Sequence, residues 1–130
     1  MSAQITSPFT VDKFEPLASS ELDGTSIGHI RITKTFTGDL VGTSTVEMLS
    51  AGTPAGPARY VAFERVTGSL KGKTGSFIFQ HVGDATVTPF ELELLIVKGS
   101  GTGELAGIGG RGTIIIENKQ HRLELEYELA

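Results

Sequence analysis

Apolar residues recur at every second position along most of the chain, and this alternation limits the possible folds more than any other feature. In the C-terminal run, His121, Leu123, Leu125, Tyr127 and Leu129 alternate with an arginine and three glutamates. A period of two residues is typical of a β-strand with one buried face. No window keeps apolar residues at i, i+3, i+4 and i+7 over three turns, as an amphipathic helix would. The sequence therefore predicts an all-β protein.

Turn signals separate the alternating runs from one another. Gly38-Asp39 and Asn118-Lys119 each stand between two such runs, and Gly and Asn suit tight hairpin turns because they adopt positive φ at little cost. Pro16 cannot donate a hydrogen bond to a sheet, so it marks the end of the first strand, an edge or a bulge. The eight predicted strands pass through residues 9–14, 27–36, 40–49, 59–67, 76–82, 90–97, 113–117 and 121–129.

Eight antiparallel strands in sequential hairpins either close into an up-and-down barrel or split into two packed sheets. Glycines inside or at the ends of the predicted strands favour the barrel, because Gly there marks a bulge, a corner or a close backbone approach. A closed barrel also leaves no sheet edge unpaired. We therefore expect a single domain over residues 1–130 that forms an eight-stranded antiparallel up-and-down barrel. The glycines that favour it are Gly42, Gly68, Gly75, Gly110 and Gly112.

The composition excludes several classes of protein. The 130 residues include no Cys, which rules out disulfides, thiolate catalysis and Cys-ligated metals. Fifteen acidic and eleven basic residues give a net charge of −4, which disfavours nucleic acid as a partner. The longest strongly apolar runs have four residues, and no basic and apolar leader begins the chain. The sequence therefore predicts neither a membrane segment nor a signal peptide, and the cytoplasm is the default location.

Four segments of the sequence are distinctive: FTGDL at residues 36–40, YVAFERV at 60–66, GSFIFQH at 75–81 and SGTGELAG at 100–107. Together they resemble a family of small bacterial proteins of unknown function whose fold is similar to the allene oxide cyclase barrel. The resemblance runs from about Phe9 to Leu129. It implies an allene-oxide-cyclase-like barrel with an apolar lumen. It implies no reaction, because no catalytic motif of the plant cyclases matches this sequence.

The glycine-rich segment at residues 101–106 fits the G-x-G-x-x-G/A pattern of dinucleotide sites. That pattern works only where a helix begins and offers its N-terminal amides to a pyrophosphate, yet Gly107, Gly109 and Gly110 preclude a sustained helix. Glu104 would also repel phosphate. We therefore expect a short turn that packs across a barrel mouth, with no nucleotide cofactor. Glu104, beside that mouth, is nevertheless a candidate catalytic base.

A second candidate site involves two predicted strands that are neighbours in the chain. In residues 59–67, either Glu64 or Arg65 points into the barrel, and alternation leaves the choice open because both faces carry apolar residues. If Glu64 points inward with Tyr60, it could share a polar pocket with His81 of the next strand. Such a carboxylate and imidazole would suit general acid and base catalysis. The alternative is that Glu64 pairs with Arg31, Arg65 or another surface cation.

The floor of this pocket is predicted to be aromatic, because Phe77 and Phe79 share the alternation face of His81. No metal is expected, since His29, His81 and His121 show no spacing typical of metal ligands. The candidate catalytic residues are thus Glu64, His81 and Glu104, and the candidate ligand-binding residues are Tyr60, Glu64, Phe77, Phe79 and His81.

Three functions are consistent with the predicted barrel and its candidate residues. The first is the binding of a small, largely apolar ligand in the barrel lumen, since an eight-stranded barrel can hold one such molecule. The second is an isomerase or cyclase that uses proton transfer in the same lumen. The third is a structural homo-oligomer with a filled barrel. We expect a homo-oligomer because residues 60–66 and 92–97 are apolar on both strand faces, and large apolar outer surfaces usually mark contacts.

Overall fold

The computed structural model describes residues 2–88 and 90–129, and eight antiparallel strands contain most of them. Each strand pairs with the next along the chain, and the last pairs back onto the first, so the strands close into a ring. The eight predicted antiparallel strands are thereby confirmed. The strands are β1 (Ser2–Leu22), β2 (Thr25–Phe36), β3 (Leu40–Thr53), β4 (Gly56–Leu70), β5 (Lys73–Asp84), β6 (Glu91–Ile96), β7 (Gly109–Glu117) and β8 (Gln120–Glu128).

Two-residue turns with positive φ connect three of the hairpins. Asn118 and Lys119 have φ values of 52° and 64°, which fits the turn predicted there. A turn with two positive φ angles matches the right-handed twist of the flanking strands. The first strand is longer than the sequence suggested, because β1 continues past Pro16 to Leu22. The register of β1 and β2 shifts between Pro16 and Ala18. Of the three roles predicted for Pro16, a strand end, an edge or a bulge, the structure therefore shows the bulge.

Burial alternates along each strand and identifies the side chains that point into the ring. In β4, Ala62, Glu64 and Val66 are buried, whereas Phe63 and Arg65 are exposed. Glu64 therefore points inward and Arg65 outward, which settles the choice that alternation left open. Directly paired residues of an antiparallel sheet share a face, so register carries this assignment from strand to strand.

One end of the ring is plugged by the connection between β6 and β7. This connection forms a single three-residue 3-10 helix, Gly103–Leu105, and Leu105 and Ile108 are fully buried against the core. The predicted short turn across a barrel mouth is thus confirmed. The plug lies so close to β5 that a Cβ atom at Gly75 would be 2.1 Å from the Thr102 carbonyl oxygen. Only glycine fits at this position without displacing the plug.

At the opposite end of the ring, which we call the open end, several inward-facing apolar side chains are exposed. There β1 to β4 extend beyond the shorter strands β6 to β8. Phe14 pairs with Ile32, which pairs with the buried Val46, so Phe14 faces inward. Val11 and Ile116 face inward by the same register argument, since they pair with Lys34 and His121. Among the described residues, no helix is long and apolar enough to cross a membrane.

Candidate functional site

Glu64 and His81 are in direct contact inside the ring. The register of β4 and β5 pairs Ala62 with His81 and Glu64 with Phe79, so the two polar side chains project from adjacent positions on the inner face. Glu64 Oε1 lies 2.7 Å from His81 Nε2. Their exposed fractions are 1% and 3%. The structure therefore brings together the two residues that the sequence placed in one pocket, although the pocket is closed to solvent.

Two further side chains complete the surroundings of this carboxylate. Lys34 Nζ of β2 lies 3.3 Å from Glu64 Oε1, and Ser44 Oγ of β3 donates to Glu64 Oε2 at 2.5 Å. The Lys34 ammonium also lies 4.7 Å from the centroid of the Phe9 ring, a distance that allows a cation–π interaction. Sequence reasoning missed Lys34. The signal was present, because Lys34 occupies the same alternation face of β2 as Phe36, which is buried.

The neighbours of Glu64 determine its ionisation. Burial by itself would raise the pKa of this carboxyl group, because it removes water from the charged form. The hydrogen bond from His81, the positive charge of Lys34 and the hydrogen bond from Ser44 oppose burial and together lower the pKa to about 2. Glu64 is therefore a carboxylate at neutral pH. The sequence also allowed Glu64 to pair with Arg31 or Arg65. Arg31 instead pairs with Glu47 at 2.7 Å, and Arg65 points outward.

The hydrogen bonds continue from Glu64 to a tyrosine near the open end. Tyr60 Oη lies 3.4 Å from His81 Nδ1. Because an ionised carboxylate can only accept, His81 Nε2 carries a proton and donates to Glu64. Burial and the nearby charge of Glu64 raise the pKa of Tyr60 to about 12. Tyr60 therefore stays a phenol at neutral pH.

The position of the Tyr60 ring depends on a glycine of the facing strand. Tyr60 pairs with Gly83, and a Cβ atom at Gly83 would be 2.2 Å from Tyr60 Cε1. On its other side, the Tyr60 ring stacks on Phe90 with centroids 6.3 Å apart and planes inclined by 15°. Gly83 and Phe90 thus hold the ring at the inner edge of the open end.

The predicted aromatic floor is present and fills the interior. The Phe77 and Phe79 rings meet edge to face with centroids 5.1 Å apart, and both side chains are fully buried. The Phe79 ring also meets the His81 ring edge to face, with centroids 6.4 Å apart. Five surface cavities of about 300–730 Å³ lie on the described part of the protein. Neither Glu64 nor His81 lines any of these five cavities.

Glu104 belongs to a different part of the molecule. It lies in the plug, where its Oε1 accepts a hydrogen bond of 3.0 Å from the backbone N–H of Thr74. Thr74 is seven residues from His81 along β5, which corresponds to about 23 Å in an extended strand. The structure therefore does not bring Glu104 together with Glu64 and His81, and it gives Glu104 a contact that fastens the plug to β5.

The three histidines also lie apart. His29 contacts Glu47 at 2.9 Å on the outer face, whereas the His121 ring lies 5.3 Å from the Phe9 ring inside. Within residues 2–88 and 90–129, no group of three or more His, Cys, Asp or Glu side chains is placed to hold a metal ion. The candidate site is therefore the hydrogen-bonded chain of Tyr60, His81, Glu64 and Lys34.

Comparison with known proteins identifies relatives of this chain. A crystal structure of a protein with unknown function from the DUF3224 family of Shewanella oneidensis MR-1 matches it with a TM-score of 0.90 and 38% sequence identity. The match covers 100% of this chain and 99% of the other. A search of curated proteins found no match. The family model described as "Protein of unknown function (DUF3224)" matches residues 5–127. The chain therefore belongs to the DUF3224 family, whose function is unknown.

Proposed function

We propose that the protein binds a small, largely apolar ligand at the open end of the ring. One observation carries this proposal. Val11, Phe14 and Ile116 point inward, yet their exposed fractions are 42%, 57% and 63%. Side chains that face the inside of a filled ring would be buried, as Phe77 and Phe79 are. Exposed apolar surface of this kind usually marks a contact with a ligand or partner.

The floor of the open end favours a ligand with a single polar group. Tyr60 is partly buried there, and its hydroxyl lies within hydrogen-bonding distance of His81 Nδ1. Its oxygen keeps acceptor capacity for a ligand hydroxyl or amine. Below it, Lys34 and the ionised Glu64 offset each other's charge. A neutral ligand therefore suits this floor better than a charged one. An allene-oxide-cyclase-like barrel, which stays a prediction, would offer its ligand the same lumen.

Proton transfer is less well supported than binding. A general base works best when its pKa lies near the working pH. The pKa of Glu64 is lowered to about 2, and its three hydrogen-bonding partners surround both carboxylate oxygens. Glu64 is therefore a weak base and is closed to substrate. Catalytic roles for Glu64, His81 and Glu104 stay predictions.

The binding proposal is tested by titration with N-phenyl-1-naphthylamine, a neutral probe that fluoresces in apolar surroundings. We expect saturable binding to the wild type and a loss of at least tenfold in affinity for Phe14→Glu or Ile116→Glu. Val41→Glu is the matched control, because Val41 is an exposed apolar residue of β3 near the plugged end. This site would be ruled out if Val41→Glu lost as much affinity for the probe as the open-end variants. It would also be ruled out if neither Phe14→Glu nor Ile116→Glu changed the affinity.

A homo-oligomer is a second candidate, and a different observation favours it. Leu49, Val61 and Phe63 are about half exposed on the outer face of β3 and β4, beside a shallow cavity of about 300 Å³. Leu95, on the outer face of β6, is exposed as well. We expect sedimentation velocity to detect self-association that Phe63→Lys abolishes. A wild type that stays monomeric at millimolar concentration would exclude this candidate.

A further inference from the structure

The ring has a weak point between β6 and β7. These strands pair at two positions within the described chain, Leu94 with Gly112 and Leu95 with Arg111. On their other sides, β7 pairs with β8 at all nine of its residues, and β6 pairs with β5 at all six. Continuing the register would pair Glu93 with Thr113 and Leu92 with Ile114, but β6 and β7 are not paired at these described positions. Residues 113–116 therefore present a free backbone edge.

This edge lies along a surface cavity of about 520 Å³. Every second residue of a strand edge points its N–H and C=O groups outward, away from the strand already paired. Such an edge is a template for another extended chain. We call this region the slot, and its lining includes Leu92, Glu93, Ile114 and Ile116.

The side chains around the slot define the pattern that an added strand would need. Leu92 and Ile114 lie on the inner face, as does the exposed Ile116, so they require apolar partners. Glu91 and Glu93 lie on the outer face and are exposed. Neither takes part in an ion pair among the described residues. Their charges therefore favour basic partners on the outer face.

We propose that the slot binds an extended peptide segment in which apolar residues alternate with lysine or arginine. The segment adds to the ring as a strand along β7. Its backbone pairs with the free edge of residues 113–116, its apolar side chains face Leu92 and Ile114, and its basic side chains face Glu91 and Glu93. Main-chain hydrogen bonds supply affinity in such strand addition, while the alternating side chains supply specificity.

The test uses a fluorescein-labelled, acetylated octapeptide of alternating valine and lysine, titrated with the full chain and followed by anisotropy. Two control peptides carry either glutamate in place of lysine or N-methyl groups on alternate backbone nitrogens. We expect both controls to bind at least tenfold more weakly, because the first reverses the charge and the second removes backbone donors. Hydrogen exchange should show new amide protection within residues 113–116 when the valine–lysine peptide is bound.

Charge reversal in the protein gives a second arm. We expect Glu91→Lys with Glu93→Lys to weaken binding of the valine–lysine peptide about tenfold, a change consistent with two exposed ion pairs turned repulsive. Glu126→Lys with Glu128→Lys is the control, because it makes the same change of net charge on β8 beside the other end of β7. It should change affinity less than twofold.

Three results would overturn the proposal. The first is no anisotropy change up to millimolar protein. The second is equal binding of the N-methylated peptide, which would mean attraction by charge without strand addition. The third is a dimer that Glu91→Lys with Glu93→Lys dissociates, because a second copy would then occupy the slot.

Discussion

Lys34 Nζ and Glu64 Oε1 face each other at 3.3 Å inside the ring, from strands β2 and β4 that are separated by β3. Both side chains are buried, so each has lost most of its hydration. A buried ion pair of this kind adds little net stability, but removing one partner leaves the other charge without compensation. The pair therefore ties the interior of the ring to one arrangement of β2, β3 and β4.

Removal of the lysine should destabilise the fold. We expect Lys34→Met to lower the free energy of unfolding by about 3 kcal/mol, the smaller end of the usual cost, because His81 and Ser44 still hydrogen-bond Glu64. Urea unfolding measures this change. The double variant Lys34→Met with Glu64→Gln should recover at least half of the loss. A single-variant loss below about 1 kcal/mol would contradict the expected coupling.

The ionisation of Glu64 should make stability depend on pH. Its pKa is lowered from 4.5 to about 2 on folding, so Glu64 contributes stability that is fully present above pH 4.5. This contribution is lost as the pH falls from 4.5 towards 2. We expect the stability difference between wild type and Glu64→Gln to shrink over that range in urea unfolding. A difference that stays constant from pH 6 to pH 2 would contradict the lowered pKa.

The hydroxyl of Tyr60 should matter for binding more than for stability. We expect Tyr60→Phe to cost about 1 kcal/mol or less in unfolding free energy, because the ring still packs against Gly83. Its affinity for 1-naphthol should fall by roughly two- to tenfold, the value of one hydrogen bond. Naphthalene has no hydroxyl and serves as the control ligand. Equal losses of affinity for 1-naphthol and naphthalene would contradict the proposed hydrogen bond.

The plug should tolerate no side chain at Gly75. We expect Gly75→Ala to destabilise the protein by about 1–3 kcal/mol, because the new Cβ would lie 2.1 Å from the backbone oxygen of Thr102. Gly109→Ala is the matched control, since a Cβ there has no neighbour within 4 Å. It should be neutral or stabilising by up to about 1 kcal/mol. Thermal unfolding distinguishes the two variants, and equal midpoints would contradict the close contact.

Most of the strand pattern could be predicted from the sequence, because alternation and turn residues are local signals. The length of β1 could not, since Pro16 lies beside a bulge that lets pairing resume at Ala18. The existence of an open end also depends on unequal strand lengths, which arise when all eight strands are paired. No local feature of the sequence around Phe14 indicates that its side chain is exposed at the open end.

The candidate site was only partly predictable. Alternation placed Glu64 and Arg65 on opposite faces but could not choose between them, because apolar neighbours occupy both faces of β4. Lys34 escaped notice because a strand lysine usually faces water. Its burial requires the opposing carboxylate of Glu64, which lies thirty residues away and two strands over in the ring. Contacts at such separation follow from closure of the ring and not from any single segment.

The most direct test of the central claim is methyl NMR of the protein titrated with N-phenyl-1-naphthylamine. Selective labelling of isoleucine and methionine places reporters at Ile30, Met48 and Ile116 towards the open end. It also places them at Ile78, which pairs with the exposed Arg65, and at Ile108 of the plug. We expect saturable shifts at the first three methyl groups and unchanged signals at the other two. Shifts at Ile78 alone, on the outer face, or no shifts at any methyl group, would contradict ligand binding inside the ring.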